Sequence, residues 1–219
     1  MASPRVIALN PDDPRPDRLQ IAIEALLHGG IVAIPTETFY GLAGDAFRPE
    51  VLLRLNRLKS KDSASPVLLL LADLEQASLV ARDLPPSFAS LAERFWPGPL
   101  TIVVRAAPEV PAEVSGGRGT VGIRVPGLVL PRRLAAALGR PITGVSANLH
   151  GRPACRTAED VVHAIPEGLD VVLDGGPCPG GSPSTVLDLS DGPPRLVRAG
   201  SVPLTALEPF LTRATDPHS

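Results

Sequence analysis

Apolar residues along the chain recur with helical spacing in some segments and form short uninterrupted runs in others. From Leu19 to Leu27 they fall on one helical face, and Gly29-Gly30 ends this helix before the apolar run at 31–34. Further helices are predicted at 49–58, 74–82, 87–95, 130–138, 158–165 and 204–211. Strands are predicted at 67–71, 100–105, 120–125, 142–146, 171–173, 185–189 and 195–197.

This alternation of helices and buried strands predicts an α/β fold. The last two strands follow each other closely, so we expect them to pair antiparallel. We predict one domain at residues 17–212, because a chain of 219 residues suits a single large core. Residues 1–16 and 213–219 are polar or rich in proline and are expected to be terminal segments outside it.

The charge balance argues against a protein that holds nucleic acid through a general basic field. Lys and Arg number 21 against 23 Asp and Glu, which gives a formal net charge of -2. Aromatic residues make up only 3% of the chain, so platforms for base stacking are scarce. Any contact with RNA is therefore expected to be local or indirect.

Cysteine usage and apolar run lengths bear on where the protein works. Cys155 and Cys178 have neither a CxxC spacing nor a His-linked pattern, so we expect no disulfide framework and no structural zinc site. The first residues lack the charged and apolar regions of a leader, and no segment reaches ~18 uninterrupted apolar residues. We therefore expect a soluble, cytoplasmic protein with no membrane partner.

Three familiar sequence signatures can be dismissed in this chain. The GxGxxG match at 117–122 runs into a predicted strand, so no helix N-terminus is available for a pyrophosphate. The segment 144–148 begins like a nucleophile elbow, yet Asn148 replaces the final glycine. The pattern GxxxxGK[ST] is absent, so any ATP must be held without that loop.

Hydroxyl and cationic residues at strand ends and in loops are the remaining candidates for a site. Singly, such residues are more often caps or solvated charges, but Arg124 and Ser146 each end an apolar strand pattern, where α/β sheets commonly face a ligand. The full set is Thr36, Thr38, Lys59, Lys61, Thr120, Arg124, Ser146, Asn148, Arg152, Ser184, Thr185 and Arg198.

Six ordered segments make the chain similar to the YrdC/TsaC family of threonylcarbamoyl-AMP synthases. They are PTETFYGL at 35–42, WPGPLT at 96–101, TVGIRVP at 120–126, SAN at 146–148, PSTVLDL at 183–189 and LVRAG at 196–200. The similarity spans roughly residues 17–212. It implies a twisted mixed sheet with flanking helices and a large concave, positively charged cavity, in the short form without a further C-terminal domain.

The resemblance also implies roles for individual residues. Threonine would be held by Thr38, Arg124, Ser184 and the backbone at Gly144. ATP would be surrounded by Lys61, Ser65, Thr120, Ser146, Asn148, Ala154 and Arg198. Lys59 and Lys61 occupy the two basic positions of the family's K-x-R motif and, with Arg124, would act in catalysis.

The implied reaction joins L-threonine, bicarbonate and ATP into threonylcarbamoyl-AMP and pyrophosphate, for the N6-threonylcarbamoyladenosine (t6A) modification of tRNA at position 37. Mg²⁺ would accompany ATP, and downstream tRNA threonylcarbamoyl-transfer proteins would take up the product. The chain departs from the family pattern at Lys61, at Leu70, where relatives frequently have His, and at Ala154, where they often have Ser. These departures support an alternative, a non-catalytic nucleotide- or RNA-binding paralogue of the same fold.

Overall fold

The computed structural model describes residues 3–59, 66–149 and 151–211 and arranges their strands in two sheets. In chain order the strands are β1 (Arg5–Ala8), β2 (Val32–Ile34), β3 (Gly41–Ala43), β4 (Leu68–Leu70), β5 (Leu100–Arg105), β6 (Thr120–Arg124), β7 (Ile142–Thr143), β8 (Val145–Ser146), β9 (Val171–Asp174), β10 (Thr185–Asp188) and β11 (Arg195–Arg198).

Both sheets mix parallel and antiparallel pairs. The first has the order β1-β9-β2-β3-β8, in which β1 and β2 lie parallel to β9 and β3 is antiparallel to both its neighbours. The second has the order β11-β10-β5-β6-β4-β7, with parallel pairs β10–β5 and β4–β6. Its last two strands in sequence, β10 and β11, pair antiparallel as predicted. The predicted α/β class with mixed pairing is confirmed.

Helices pack around the sheets, and their ends follow from local sequence. They are α1 (Pro16–Leu27), α2 (Pro49–Leu58), α3 (Pro86–Phe95), α4 (Ala112–Ser115), α5 (Val129–Leu138), α6 (Ala158–Ala164) and α7 (Leu204–Leu207), with 3₁₀ turns at Glu75–Leu79 and Glu208–Phe210. The first three begin with proline, whose fixed φ and missing N–H suit the first helical turn. Within the described ranges no helix has the length and apolar character needed to cross a membrane.

Aliphatic side chains build the core, as the low aromatic content requires. All three residues of β2 are buried, and α1 packs against α5 and against the neighbouring strands of the first sheet. Tyr40 is a buried aromatic exception, and its hydroxyl donates a hydrogen bond to the Gly176 carbonyl at 2.9 Å. A buried hydroxyl needs such a partner, because burying it unpaired costs free energy.

The predicted continuous strand at 142–146 is wrong, because Gly144 divides it between the two sheets. Residues before Gly144 form β7 in the second sheet, and residues after it form β8 in the first. The Gly144 amide donates to the Leu68 carbonyl at 2.7 Å, and a Cβ built on Gly144 would lie 2.8 Å from Cγ of Leu70. Glycine is therefore required for the close approach of this backbone to β4.

Other differences concern short elements that periodicity does not reveal. Arg5–Ala8, assigned to a terminal segment, pairs with β9 as the edge strand β1. The strand β3 and the short helix α4 were not predicted, because three or four residues are too few to establish a period. The segment predicted as helix 74–82 is a 3₁₀ turn, and the closing helix is divided into α7 and a second 3₁₀ turn.

We predict that Gly144→Ala lowers the free energy of unfolding by ~1–3 kcal/mol, because the added methyl group overpacks the contact with Leu70. Urea denaturation measures the change. Gly41→Ala is the matched control, since its Cβ would meet its nearest neighbour, the Val145 carbonyl oxygen, at 3.5 Å. The double variant Leu70→Ala/Gly144→Ala should lose less unfolding free energy than the two single variants lose together. Strict additivity of the losses would contradict the close contact.

Candidate functional site

One face of the second sheet forms the floor of a cavity of about 650 Å³ that residues of both sheets line. Alternate residues of a strand point to the same face, so Thr101 of β5 and Gly122 and Arg124 of β6 lie on this floor. The turn before β3, the strand β8 and the start of β10 contribute further lining. The division of the chain at Gly144 thus places β8 beside the floor.

Arg124 is a cation at the floor of the cavity, although it is only 3% exposed. Its Nε donates to the Gly98 carbonyl at 3.1 Å, and its Nη2 lies 2.5 Å from Oε1 of Glu37. The same Glu37 oxygen accepts a hydrogen bond from the Gly127 amide at 2.8 Å. The guanidinium is therefore held from two directions, which fixes its orientation toward a ligand.

Arg198 and Ser184 form a second polar group in the cavity. Nη2 of Arg198 donates to the carbonyl and to the hydroxyl of Ser184, at 2.9 and 3.1 Å. The Ser184 hydroxyl lies 2.9 Å from that of Thr101. Burial and the nearby positive charge of Arg124 lower the pKa of Arg198, so an anion bound between the two would relieve their repulsion.

The segment after Arg198 is hydrogen-bonded to the first residue of β10, the strand that follows Ser184. The Thr185 hydroxyl donates to the Val202 carbonyl at 2.9 Å and accepts from the Val202 amide at 3.0 Å. Gly200 passes so close to this strand that a Cβ would lie 2.3 Å from the Pro183 carbonyl oxygen. These contacts place the sequence motif at 196–200 beside the motif at 183–189.

The threonines of the turn before β3 organise their own backbone. The Thr36 hydroxyl accepts hydrogen bonds from the Thr38 and Phe39 amides, both at 3.2 Å, and lies 3.0 Å from the Thr38 hydroxyl. Such local bonds are typical of threonine in turns. The Thr38 carbonyl also accepts a hydrogen bond from the Gly180 amide at 3.1 Å, which connects the glycine-rich loop at 175–183 to the turn.

Lys59 follows α2 and reaches the segment at 146–148 from inside the protein. Its ammonium donates to the Ser146 carbonyl at 2.5 Å and to the Asn148 carbonyl. The side-chain oxygens of the same two residues lie 3.3 and 3.4 Å away. The contacts shown by Lys59 are therefore with the protein, and its expected role at the phosphates stays a prediction.

Most of the residues predicted for the site meet in this one cavity. Those that line it are Thr38, Lys59, Thr120, Arg124, Gly144, Ser146, Asn148, Ser184 and Arg198. Ala154 is not among the lining residues, and Lys61 and Ser65 lie outside the described residues. Of the wider set of candidates, Thr36 lines the cavity, whereas Arg152 and the fully buried Thr185 do not.

Sequence reasoning missed Arg118, Thr101, Asp188 and Ser190, which also line the cavity. Alternate residues from Ser184 through Val186 to Asp188 point to the same face of the sheet. This alternation is the sequence signal that could have identified Asp188 as a lining residue. Burial opposes ionisation of Asp188, but hydrogen bonds from Ser190 and Arg195 prevail and lower its pKa.

Within the described ranges we find neither a reactive thiol nor a cluster of metal ligands. Cys155 and Cys178 are buried and unpaired, and burial raises the pKa of both thiols, that of Cys178 to about 11. Such thiols are poor nucleophiles near neutral pH. Among the described residues no group of three or more His, Cys, Asp and Glu side chains could hold a metal ion.

These features define an α/β protein with a cation-lined cavity suited to a small molecule that carries carboxylate or phosphate groups. The chain belongs to the Sua5/YciO/YrdC family, whose model, described as "Telomere recombination", matches residues 24–200. The family resemblance inferred from the six sequence segments is confirmed.

Several relatives carry the name threonylcarbamoyl-AMP synthase. The Pyrococcus abyssi protein is 36% identical over 191 residues, covering 87% of this chain and 56% of the relative. The Bacillus subtilis protein is 34% identical, covering 91% and 57%. The chain thus spans little more than half the length of these two relatives. The Vibrio cholerae protein, 34% identical, covers 78% of this chain and is itself covered to 93%.

Solved structures show the same fold. P. abyssi Sua5 complexed with L-threonine superposes with a TM-score of 0.89 and 34% identity, covering 94% of this chain and 60% of that one. E. coli YciO superposes with a TM-score of 0.84 and 26% identity, covering 95% and 100%. The predicted YrdC-like fold is therefore confirmed.

We predict that Glu37→Gln lowers the free energy of unfolding by ~1–3 kcal/mol, because it leaves the buried Arg124 without its carboxylate partner. Chemical denaturation at neutral pH measures the loss. Asp191→Asn is the matched control, since it removes a 98% exposed carboxylate 4.0 Å from Arg105 and should leave stability unchanged. Equal effects of the two substitutions would show that Glu37 does not hold Arg124.

Proposed function

We propose that the protein is a threonylcarbamoyl-AMP synthase, which forms threonylcarbamoyl-AMP and pyrophosphate from L-threonine, bicarbonate and ATP. The observation that carries the proposal is the pair of guanidiniums, Arg124 and Arg198, which line one cavity in which Ser184 hydrogen-bonds to Arg198. Two substrates that each carry anionic groups, the carboxylate of an amino acid and the phosphates of a nucleotide, must meet at one point in this reaction. The names of the relatives and the threonine complex of P. abyssi Sua5 support the assignment.

Arg124 is proposed to bind the threonine carboxylate. Glu37 and Gly98 hold one part of its guanidinium, and its place on the cavity floor presents the remaining N–H groups to a ligand. Thr38 and Ser184 supply hydroxyl groups nearby, and Leu70 packs over Gly144 as an apolar wall. An apolar wall suits the threonine methyl group, while the hydroxyl groups suit its polar atoms.

Arg198, Ser146, Asn148 and Thr120 are proposed to surround ATP. Arginine matches phosphate geometry with a planar fork, and the hydroxyl and amide groups add donors without net charge. Lys61, Ser65 and Ala154 stay predicted ATP contacts on the strength of the family resemblance. Among the lining residues that the structure describes, cations outnumber the single carboxylate, Asp188, which already interacts with Arg195.

The proposed chemistry requires no protein nucleophile. The threonine amine attacks the bicarbonate carbon, and loss of water leaves a carbamate. A carbamate oxygen then attacks the α-phosphorus of ATP, the bond from that phosphorus to the bridging oxygen breaks, and pyrophosphate leaves. The protein contributes orientation of the two substrates and fixed positive charge where negative charge develops.

Mg²⁺ is proposed to enter as part of the ATP complex. Magnesium keeps several water ligands and commonly binds through substrate phosphates, so it needs no dedicated protein cage. The product is proposed to pass to tRNA threonylcarbamoyl-transfer proteins for t6A formation. The net charge of -2 favours a local contact with tRNA over broad electrostatic binding.

We predict that pyrophosphate release depends on both L-threonine and bicarbonate, because the carbamate must form before it attacks ATP. A coupled pyrophosphate assay in bicarbonate-depleted buffer, with mass spectrometry of the nucleotide product, tests this requirement. ATP hydrolysis that is indifferent to both substrates would refute the synthase. Nucleotide binding without turnover would instead support the non-catalytic paralogue.

We predict that Arg124→Ala raises the KM for threonine roughly 10–150-fold while changing the KM for ATP much less, because one charge-assisted contact with the carboxylate is lost. Steady-state kinetics with each substrate varied in turn separates the two effects. Arg94→Ala, which removes an exposed cation from α3, is the control. An unchanged threonine KM in folded Arg124→Ala would remove Arg124 from the threonine site.

A further inference from the structure

We propose that the Lys59 ammonium is a built-in structural cation that holds the turn at 146–148 in its ligand-binding form and does not itself contact phosphate. Lys59 is thus a positioning residue. The inference deepens the proposed function and rests on it only in assigning this turn to ATP. The state of the turn without nucleotide can be measured independently of any activity.

The hydrogen-bonding capacity of the ammonium supports this role. Lysine Nζ has three donors. Four oxygen atoms from Ser146 and Asn148 lie around it, two of them backbone carbonyls and two from side chains. Lys59 is also only 5% exposed. The donors are therefore already committed to the turn, and a phosphate would have to displace these oxygens to reach the ammonium.

The contacts of the turn determine how its peptide groups point. The carbonyl between the two bound by Lys59, that of Ala147, accepts from Sγ of Cys155 at 3.4 Å, and the Ala147 amide donates to the Tyr40 carbonyl at 3.0 Å. Three successive carbonyls thus face donors inside the protein. Without a cation, the two carbonyls that share Lys59 would lie together unpaired, which is unfavourable in a buried site.

Orientation of the carbonyls leaves amide groups available to a ligand. In a trans peptide the N–H points opposite to the carbonyl, so the Leu149 amide points away from Lys59. Among the described residues no acceptor takes a hydrogen bond from the Asn148 or Leu149 amide. Successive backbone N–H groups of this kind form anion-binding concavities. Asn148 lines the cavity, so by fixing the carbonyls Lys59 would preserve the Asn148 amide as a donor for an anion there.

Hydrogen exchange in the nucleotide-free protein tests the proposal. Lys59→Met keeps an unbranched side chain as far as Cε and removes the ammonium. We expect the Ala147 amide, which donates to the Tyr40 carbonyl, to exchange roughly tenfold faster or more in this variant, because the charge-assisted hydrogen bonds that hold the turn are lost. Arg57→Met, which removes an exposed cation from the same last turn of α2, should leave exchange unchanged. Unchanged exchange in folded Lys59→Met would overturn the proposal.

Chemical rescue separates a structural cation from other roles of the lysine. Lys59→Ala lacks the three carbons and the nitrogen that propylammonium contains. Added propylammonium should restore protection of the Ala147 amide and ATP affinity together, whereas neutral 1-propanol should restore neither. Recovery of ATP affinity without recovery of amide protection would show that the ammonium acts directly on the phosphates.

A measurement on the unaltered chain keeps the proposal testable if the variants do not fold. Nitrogen-15 NMR of the Lys59 ammonium should show hydrogen-bond couplings to the Ser146 and Asn148 carbonyl carbons, both without ATP and at saturating ATP. Loss of these couplings on ATP addition would overturn the proposal. Absence of synthase activity with the couplings and the exchange result intact would refute the proposed function alone.

Discussion

Positive charge kept out of water is the constraint on which the rest of this structure depends. Arg124 and Lys59 are buried, whereas Arg198 is exposed and hydrogen-bonds to Ser184, and all three line one cavity. Removing a cation from water is costly unless protein oxygens replace its hydration. Each of the three is therefore surrounded by carbonyl, hydroxyl or carboxylate oxygen. The loops that supply these oxygens are the same segments in which the family motifs occur.

This arrangement explains what the motifs do physically. The segment 96–101 supplies the Gly98 carbonyl to Arg124, and the segment 35–42 supplies Glu37. The segment 183–189 supplies both oxygens of Ser184 to Arg198. In each case one side of the cation is fixed by the protein while the residue still lines the cavity. A ligand anion then completes a partly satisfied site, which favours binding without reorganisation.

The division of the chain at Gly144 brings strands of both sheets to the cavity that these cations line. Leu70 pairs in register with Arg124 across β4 and β6, and its side chain packs over Gly144. The floor therefore places an apolar side chain next to a fixed guanidinium. Leu70 is also one of the three positions at which the sequence resemblance predicted a departure from the family pattern. An apolar group at this point suits a methyl group of a bound ligand.

The sequence by itself determined the elements whose burial pattern is local, and it predicted α2 and β5 with the bounds that the structure shows. The family resemblance also identified nine of the residues that meet in the cavity. Only the tertiary structure decided that residues 142–146 divide between two sheets and that Arg5–Ala8 adds an edge strand. It alone showed the Lys59 ammonium bound to carbonyls 87 and 89 positions away. Periodicity records whether a side chain is buried, whereas its partner depends on residues that only folding brings near.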